Sequence, residues 1–130
     1  SLWDNVRSWW AIRDLPNVLL VHYANLKRDL AGEMKRVAGF LEIEISEADW
    51  PMLVSHCTFE YMKAHGDKAA PLGGAMWDGG AASFIFKGTN GRWRDMLTKE
   101  DVEAYESRAL KELGPECADW LATGEMSARG

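Results

Sequence analysis

An α/β domain, rich in helix and with one clear strand of a parallel sheet, is the fold class this sequence predicts. Three observations carry the expectation. Apolar residues recur at helical spacing over residues 2–13, 26–41 and 98–113. Between the first two lies "NVLLVHY" (17–23), a short β-branched apolar run that opens just after Pro16 and suits a strand buried on both faces. Helix, strand and helix in that order make one layer of an α/β arrangement.

Each element has its own justification. In residues 2–13, Leu2, Val6, Trp9 and Trp10 share a face, and Pro16 ends the helix. Over 26–41, Leu26, Leu30, Met34, Val37, Ala38 and Leu41 form the apolar stripe, opposite Lys27, Arg28, Glu33 and Arg36. Ser46 reads as the cap of a further helix carrying Trp50, Leu53, Val54 and Cys57, with an irregular first turn at Pro51. Residues 58–65 read as one short helix. "GDKAAPLGGAMWDGGAAS" has little periodicity and exceeds an ordinary connection, so it is expected to be mobile or to act as a lid. A weaker strand signal follows at 83–87. Thr98 with Asp101 opens the last helix as a capping box, Val102, Tyr105, Ala109, Leu110 and Leu113 make its stripe, and Gly114–Pro115 should stop it. Trp120 and Leu121 are expected to pack back onto the body.

Composition narrows the function. One domain is expected from 130 residues. Fifteen basic against twenty acidic residues give a net charge of −5, which argues against nucleic acid as a partner. Any anion site must then be local. Cys57 and Cys117 show neither ligand spacing nor a disulfide framework, so a reduced, cytoplasmic setting is expected. No apolar run reaches membrane-spanning length, and "SLWDNVRSWW" has no signal-peptide pattern. His22 and His56 stand apart from any carboxylate or cysteine at ligand spacing and read as structural.

The chemistry concentrates in "FIFKGTNGRWRD" (84–95). Lysine beside glycine offers charge together with close backbone approach, as a phosphate requires. Successive N–H groups around Gly88 and Gly91 can make an anion-binding concavity. A plain surface turn is the competing reading of the same residues.

Three segments in order resemble the C-terminal half of the cytosolic sulfotransferase family: "PNVLLVHYANLKRDL", "HCTFEYMK" and "FKGTNGRWRDMLTKED". The first is similar to that family's strand followed by Tyr-Glu-Asp-Leu/Met-Lys, the second to His-Thr-Ser-Phe-x-x-Met-Lys, the third to Arg-Lys-Gly-x-x-Gly-Asp-Trp-Lys. The resemblance implies the C-terminal part of a P-loop-type α/β fold. It implies sulfuryl transfer from 3′-phosphoadenosine 5′-phosphosulfate (PAPS) to a hydroxyl or amine of a small-molecule acceptor. It also implies roles: Tyr23, Cys57, Thr58 and Phe59 near adenine, with Phe59 as the stacking ring, Lys87 and Gly88 on the 3′-phosphate, and Trp93 as support for that loop.

The departures are specific. Phe86 stands where the family has arginine, and Arg92, in place of aspartate, would reach the same phosphate from the other side. Asn25 replaces an acidic residue and Cys57 a threonine. The family's dimer segment survives only as Arg94, Thr98, Lys99 and Glu103, which leaves a homodimer as an open alternative. No glycine-rich loop followed by Lys and Ser/Thr is present, and no catalytic residue is assigned. The expectation is a chain that supplies part of the cofactor site, needs the N-terminal half of the domain as its partner, and is inactive alone. A non-catalytic nucleotide-binding or interaction module derived from the same fold is the alternative.

Overall fold

The computed structural model describes residues 1–126, which fall into two compact units: residues 1–33 with the chain from Gly91 onward, and Met34–Asn90. Among the described residues there is no strand and no sheet. The expected α/β class, with its parallel-sheet strand, is therefore corrected to a helical one. Residues 18–22 run as irregular backbone between a turn and a helix, and 86–89 run as irregular backbone between two bends. β-Branched apolar composition makes a segment fit for a sheet, but a strand also needs a neighbour's N–H and C=O groups. No other described segment offers a ladder to either run.

In the first unit, α1 (Leu2–Ala11) is capped by the Ser1 hydroxyl, which accepts the Asp4 N–H. It lies against α8 (Lys99–Thr123), with Trp3 and Tyr105 rings 5.6 Å apart and Trp10 and Trp120 5.3 Å apart. The Arg13 guanidinium covers Trp10 at 4.2 Å, and Arg7 pairs with Glu112 at 3.2 Å. The expected Trp9–Trp10 anchor divides, because Trp10 packs while Trp9 remains exposed. Thr98 and Asp101 form the expected capping box at the start of α8. Ala109 is the buried member of the stripe, whereas Tyr105 and Leu110 stand exposed. Gly114 takes φ 75°, ψ 168° and Pro115 follows, so the helix kinks there but resumes as far as Thr123. That second stretch carries Trp120 and Leu121, as well as the fully buried Cys117, whose thiol pKa is raised by burial.

The expected helix over 26–41 is two helices, α2 (Tyr23–Arg28) and α3 (Leu30–Phe40), broken at Asp29 with φ −147°, ψ 80°. The Asp29 carboxylate accepts the Gly32 N–H at 2.9 Å, so the breaking residue also satisfies an orphan donor of the next helix. His22 caps α2: its Nδ1 accepts the Ala24 N–H at 3.1 Å, so its Nε2–H donates to the Leu121 carbonyl at 3.0 Å. The Asn25 side-chain amide donates to the Gly124 carbonyl at 2.9 Å. These bonds hold α2 to the end of α8.

In the second unit, α4 (Trp50–His56) begins at Asp49, with Ser46 donating to the Asp49 carboxylate rather than capping directly. Trp50 is buried beneath Lys35, which also pairs with Glu47 at 3.1 Å. α5 (Phe59–Ala64) matches the expected short helix. The glycine- and alanine-rich segment is built from α6 (Gly66–Ala69), a 3₁₀ turn (Pro71–Gly74) and α7 (Ala81–Phe84). A Cβ on Gly66 would meet the Ala81 Cβ at 2.8 Å, and the Trp77 and Phe84 rings lie 4.4 Å apart. Small residues thus let these short pieces pack closely.

Candidate functional site

The site is built where the start of α5 meets the loop after α7, both within Met34–Asn90. Thr58 fixes the helix start. Its hydroxyl accepts the Tyr61 N–H at 3.2 Å and donates to the Ser55 carbonyl at 2.8 Å. That bond pair sets where the next residue, Phe59, projects. The Phe59 ring lies against Gly88, so closely that a Cβ there would stand 2.8 Å from its Cε2 and Cγ. Gly88 also has φ 61°, a left-handed conformation that side chains disfavour. Two independent constraints therefore demand glycine at this position.

Two ammonium groups in this unit lie over aromatic rings. Lys87 Nζ lies 5.1 Å from the Phe86 ring centroid, and Lys63 Nζ lies 5.7 Å from the Phe59 ring centroid. Phe86 is 53% exposed, so it is not a core ring. Cys57 follows α4 as its C-cap and carries a free, exposed thiol. The expected site residues Cys57, Thr58, Phe59, Phe86, Lys87 and Gly88 thus gather in one unit. Lys63 was not among them, although its i,i+4 spacing from Phe59 on a helix is a readable signal.

Tyr23 and Arg92 belong to the first unit. Tyr23 opens α2 and is 54% exposed. Arg92 opens an exposed 3₁₀ turn, Arg92–Asp95, in which the Arg94 guanidinium covers the Trp93 ring at 4.6 Å. The expected support from Trp93 accordingly meets an arginine on its ring.

A cavity of about 450 Å³ in the first unit is lined by Asn25, Arg28, Asp29, Glu33, Gly124 and Glu125. Three carboxylates against one guanidinium give it the wrong charge for a phosphate. Among the described residues no cluster of His, Cys, Asp and Glu is arranged to hold a metal ion, and no helix is long and apolar enough to cross a membrane.

The family model for the sulfotransferase domain matches residues 1–114. The chain belongs to the sulfotransferase family. Sulfotransferase 1B1 of Mus musculus is 31% identical over 114 residues, covering 87% of this chain and 38% of that one. Luciferin sulfotransferase of Photinus pyralis is 40% identical over 63 residues, which cover 48% of this chain and 17% of that one. The chain thus spans well under half the length of these curated sulfotransferases. Among solved structures, mouse sulfotransferase SULT7A1 complexed with PAP aligns over 96% of this chain and 46% of its own, with a TM-score of 0.75 at 20% identity. That likeness is one of fold.

Proposed function

We propose that this chain supplies part of the adenine and 3′-phosphate site of a sulfotransferase that moves a sulfuryl group from PAPS to a hydroxyl or amine. The observation that carries the proposal is the seating of the Phe59 ring on Gly88. It brings two of the family-like stretches together, at Phe59 and at Gly88, within Met34–Asn90. The solved relative that aligns over nearly the whole chain holds PAP, which is consistent with this assignment.

The residues present fit the group. Gly88 has no side chain of its own, which allows close backbone approach, and Lys87 stands next to it with no ion pair to a carboxylate. Phe59 offers a half-buried aromatic face for the adenine ring, positioned by the Thr58 cap. PAPS, when bound, supplies the sulfuryl group; the residues described here bind and orient its nucleotide portion. The acceptor in this reading is a small molecule, and the groups that activate it lie on the rest of the domain.

Calorimetry with 3′-phosphoadenosine 5′-phosphate and with adenosine 5′-phosphate tests the assignment. Charge-assisted hydrogen bonds contribute about 1.5–3 kcal/mol, or roughly ten- to a hundredfold in affinity. Lys87→Ala is therefore expected to weaken the 3′-phosphorylated nucleotide by about that factor and to leave the other nearly unchanged. Equal losses for both nucleotides would mean that this loop does not read the 3′-phosphate.

A further inference from the structure

We infer that Lys63 is a second cation of the 3′-phosphate site, an inference that rests on the reading just proposed. A phosphate monoester carries about −1.5 to −2 charges at pH 7. One ammonium leaves part of that charge uncompensated, in a chain whose own net charge is −5. Arg92 belongs to the other unit, and within Met34–Asn90 a second positive group stands beside the Phe59 ring. Lys63 stands one helical turn after Phe59, on α5. Its Nζ is 5.7 Å from the centroid of the ring that rests on Gly88. Lys87 approaches the same glycine along the chain, from the preceding residue. Neither ammonium forms an ion pair among the described residues, whereas Lys35 and Lys99 both do. Both charges are thus available to an anion seated on the Gly88 backbone. A four-carbon stem lets Lys63 move from the ring toward that anion without moving the helix.

The competing reading is a surface lysine that rests on an aromatic ring and does nothing more. The two differ in how Lys63 variants treat the 3′-phosphate. Lys63→Gln keeps the stem and removes the charge; Lys63→Arg keeps the charge. Both are compared with the unaltered chain by calorimetry, using 3′-phosphoadenosine 5′-phosphate and adenosine 5′-phosphate. Lys63→Gln is expected to weaken the first by about three- to tenfold, with the second unchanged, and Lys63→Arg to retain most of the affinity. The loss should shrink in high salt. Phe86→Arg adds a guanidinium at an exposed position beside Lys87, and in the Lys63→Gln background it should restore selective binding. If Lys63→Gln changes neither nucleotide, or both equally, while Lys87→Ala remains selective, the inference about Lys63 fails and the nucleotide site stands. If the unaltered chain does not distinguish the two nucleotides, both fail together.

Discussion

Gly88→Ala is the substitution that interrogates the site most directly. The added Cβ would meet the Phe59 ring at 2.8 Å from two of its carbons, where ordinary contacts begin at 3.4 Å. The ring must therefore retreat by more than half an ångström. Forcing a side chain into left-handed backbone costs about 1–2 kcal/mol, and driving the ring off its rotamer costs about 0.5–1.5 kcal/mol. The narrower unfolded ensemble of alanine returns about 0.4–1 kcal/mol. The net destabilisation is then about 0.5–3 kcal/mol. Gly91→Ala provides the matched control. Its φ of 82° carries the same backbone cost, but its Cβ would meet the Arg94 Nη1, the far end of a flexible side chain. Urea unfolding of the two variants should differ by the ring term alone, about 0.5–1.5 kcal/mol. Base stacking on an aromatic side chain contributes about 1–3 kcal/mol. Gly88→Ala should therefore weaken the nucleotide lacking the 3′-phosphate as well as the one carrying it, unlike Lys87→Ala. Equal midpoints for Gly88→Ala and Gly91→Ala, with nucleotide affinity unchanged, would refute the ring-on-glycine contact.

Two further outcomes follow from the first unit. A Cβ on Gly124 would meet the Asn25 Oδ1 and His22 Nδ1 at 2.7 Å on backbone with φ 77°, so Gly124→Ala should cost about 0.5–3 kcal/mol, combining backbone strain with a lost hydrogen bond and the same unfolded-state return; an unchanged unfolding midpoint would contradict this. Hydrogen bonds from the Thr98 hydroxyl and N–H hold the Asp101 carboxyl below its ordinary 3.8. A depressed folded pKa stabilises above 3.8 and is lost as pH falls through the depressed value, so the start of α8 should stay capped at pH 4 and fray only below 3.8. An NMR titration of Asp101 with a midpoint at or above 3.8 would remove the basis for this expectation.

Local chemistry made part of the fold legible. Residues 2–11 and 99–113 show their period within one segment, and the capping box at Thr98 is closed by residues three apart. Nothing beyond those residues is needed to form them. The break at Asp29 was hidden because Leu26 and Leu30 keep the helical spacing across it. What decides the break is the Asp29 carboxylate, which takes the Gly32 N–H, together with the bonds that tie His22 and Asn25 to residues 121 and 124. The run at 17–22 failed as a strand for a related reason. Its composition is local, but a sheet is a relation between segments.

The same division runs through the site. Lysine beside glycine in residues 84–95 is a local signal, and it is the one on which the proposed phosphate contact rests. The need for glycine at 88 is tertiary, because it comes from a ring supplied by α5, far away in the chain. Lys63 lies between these cases. Its spacing from Phe59 is local, yet that spacing gains meaning only once Phe59 is known to rest on Gly88. A one-turn offset on a short exposed helix usually records nothing more than a solvated face. Here it brings a charge to the ring that rests on Gly88, in the loop proposed to hold the phosphate, and removing that ring should disconnect the two. Phe59→Ala should therefore lower the effect of Lys63→Gln on 3′-phosphate selectivity while leaving that of Lys87→Ala in place. If the two lysine effects persist unchanged after Phe59→Ala, the ring does not organise the site, and Lys63 acts only through its unspecific field.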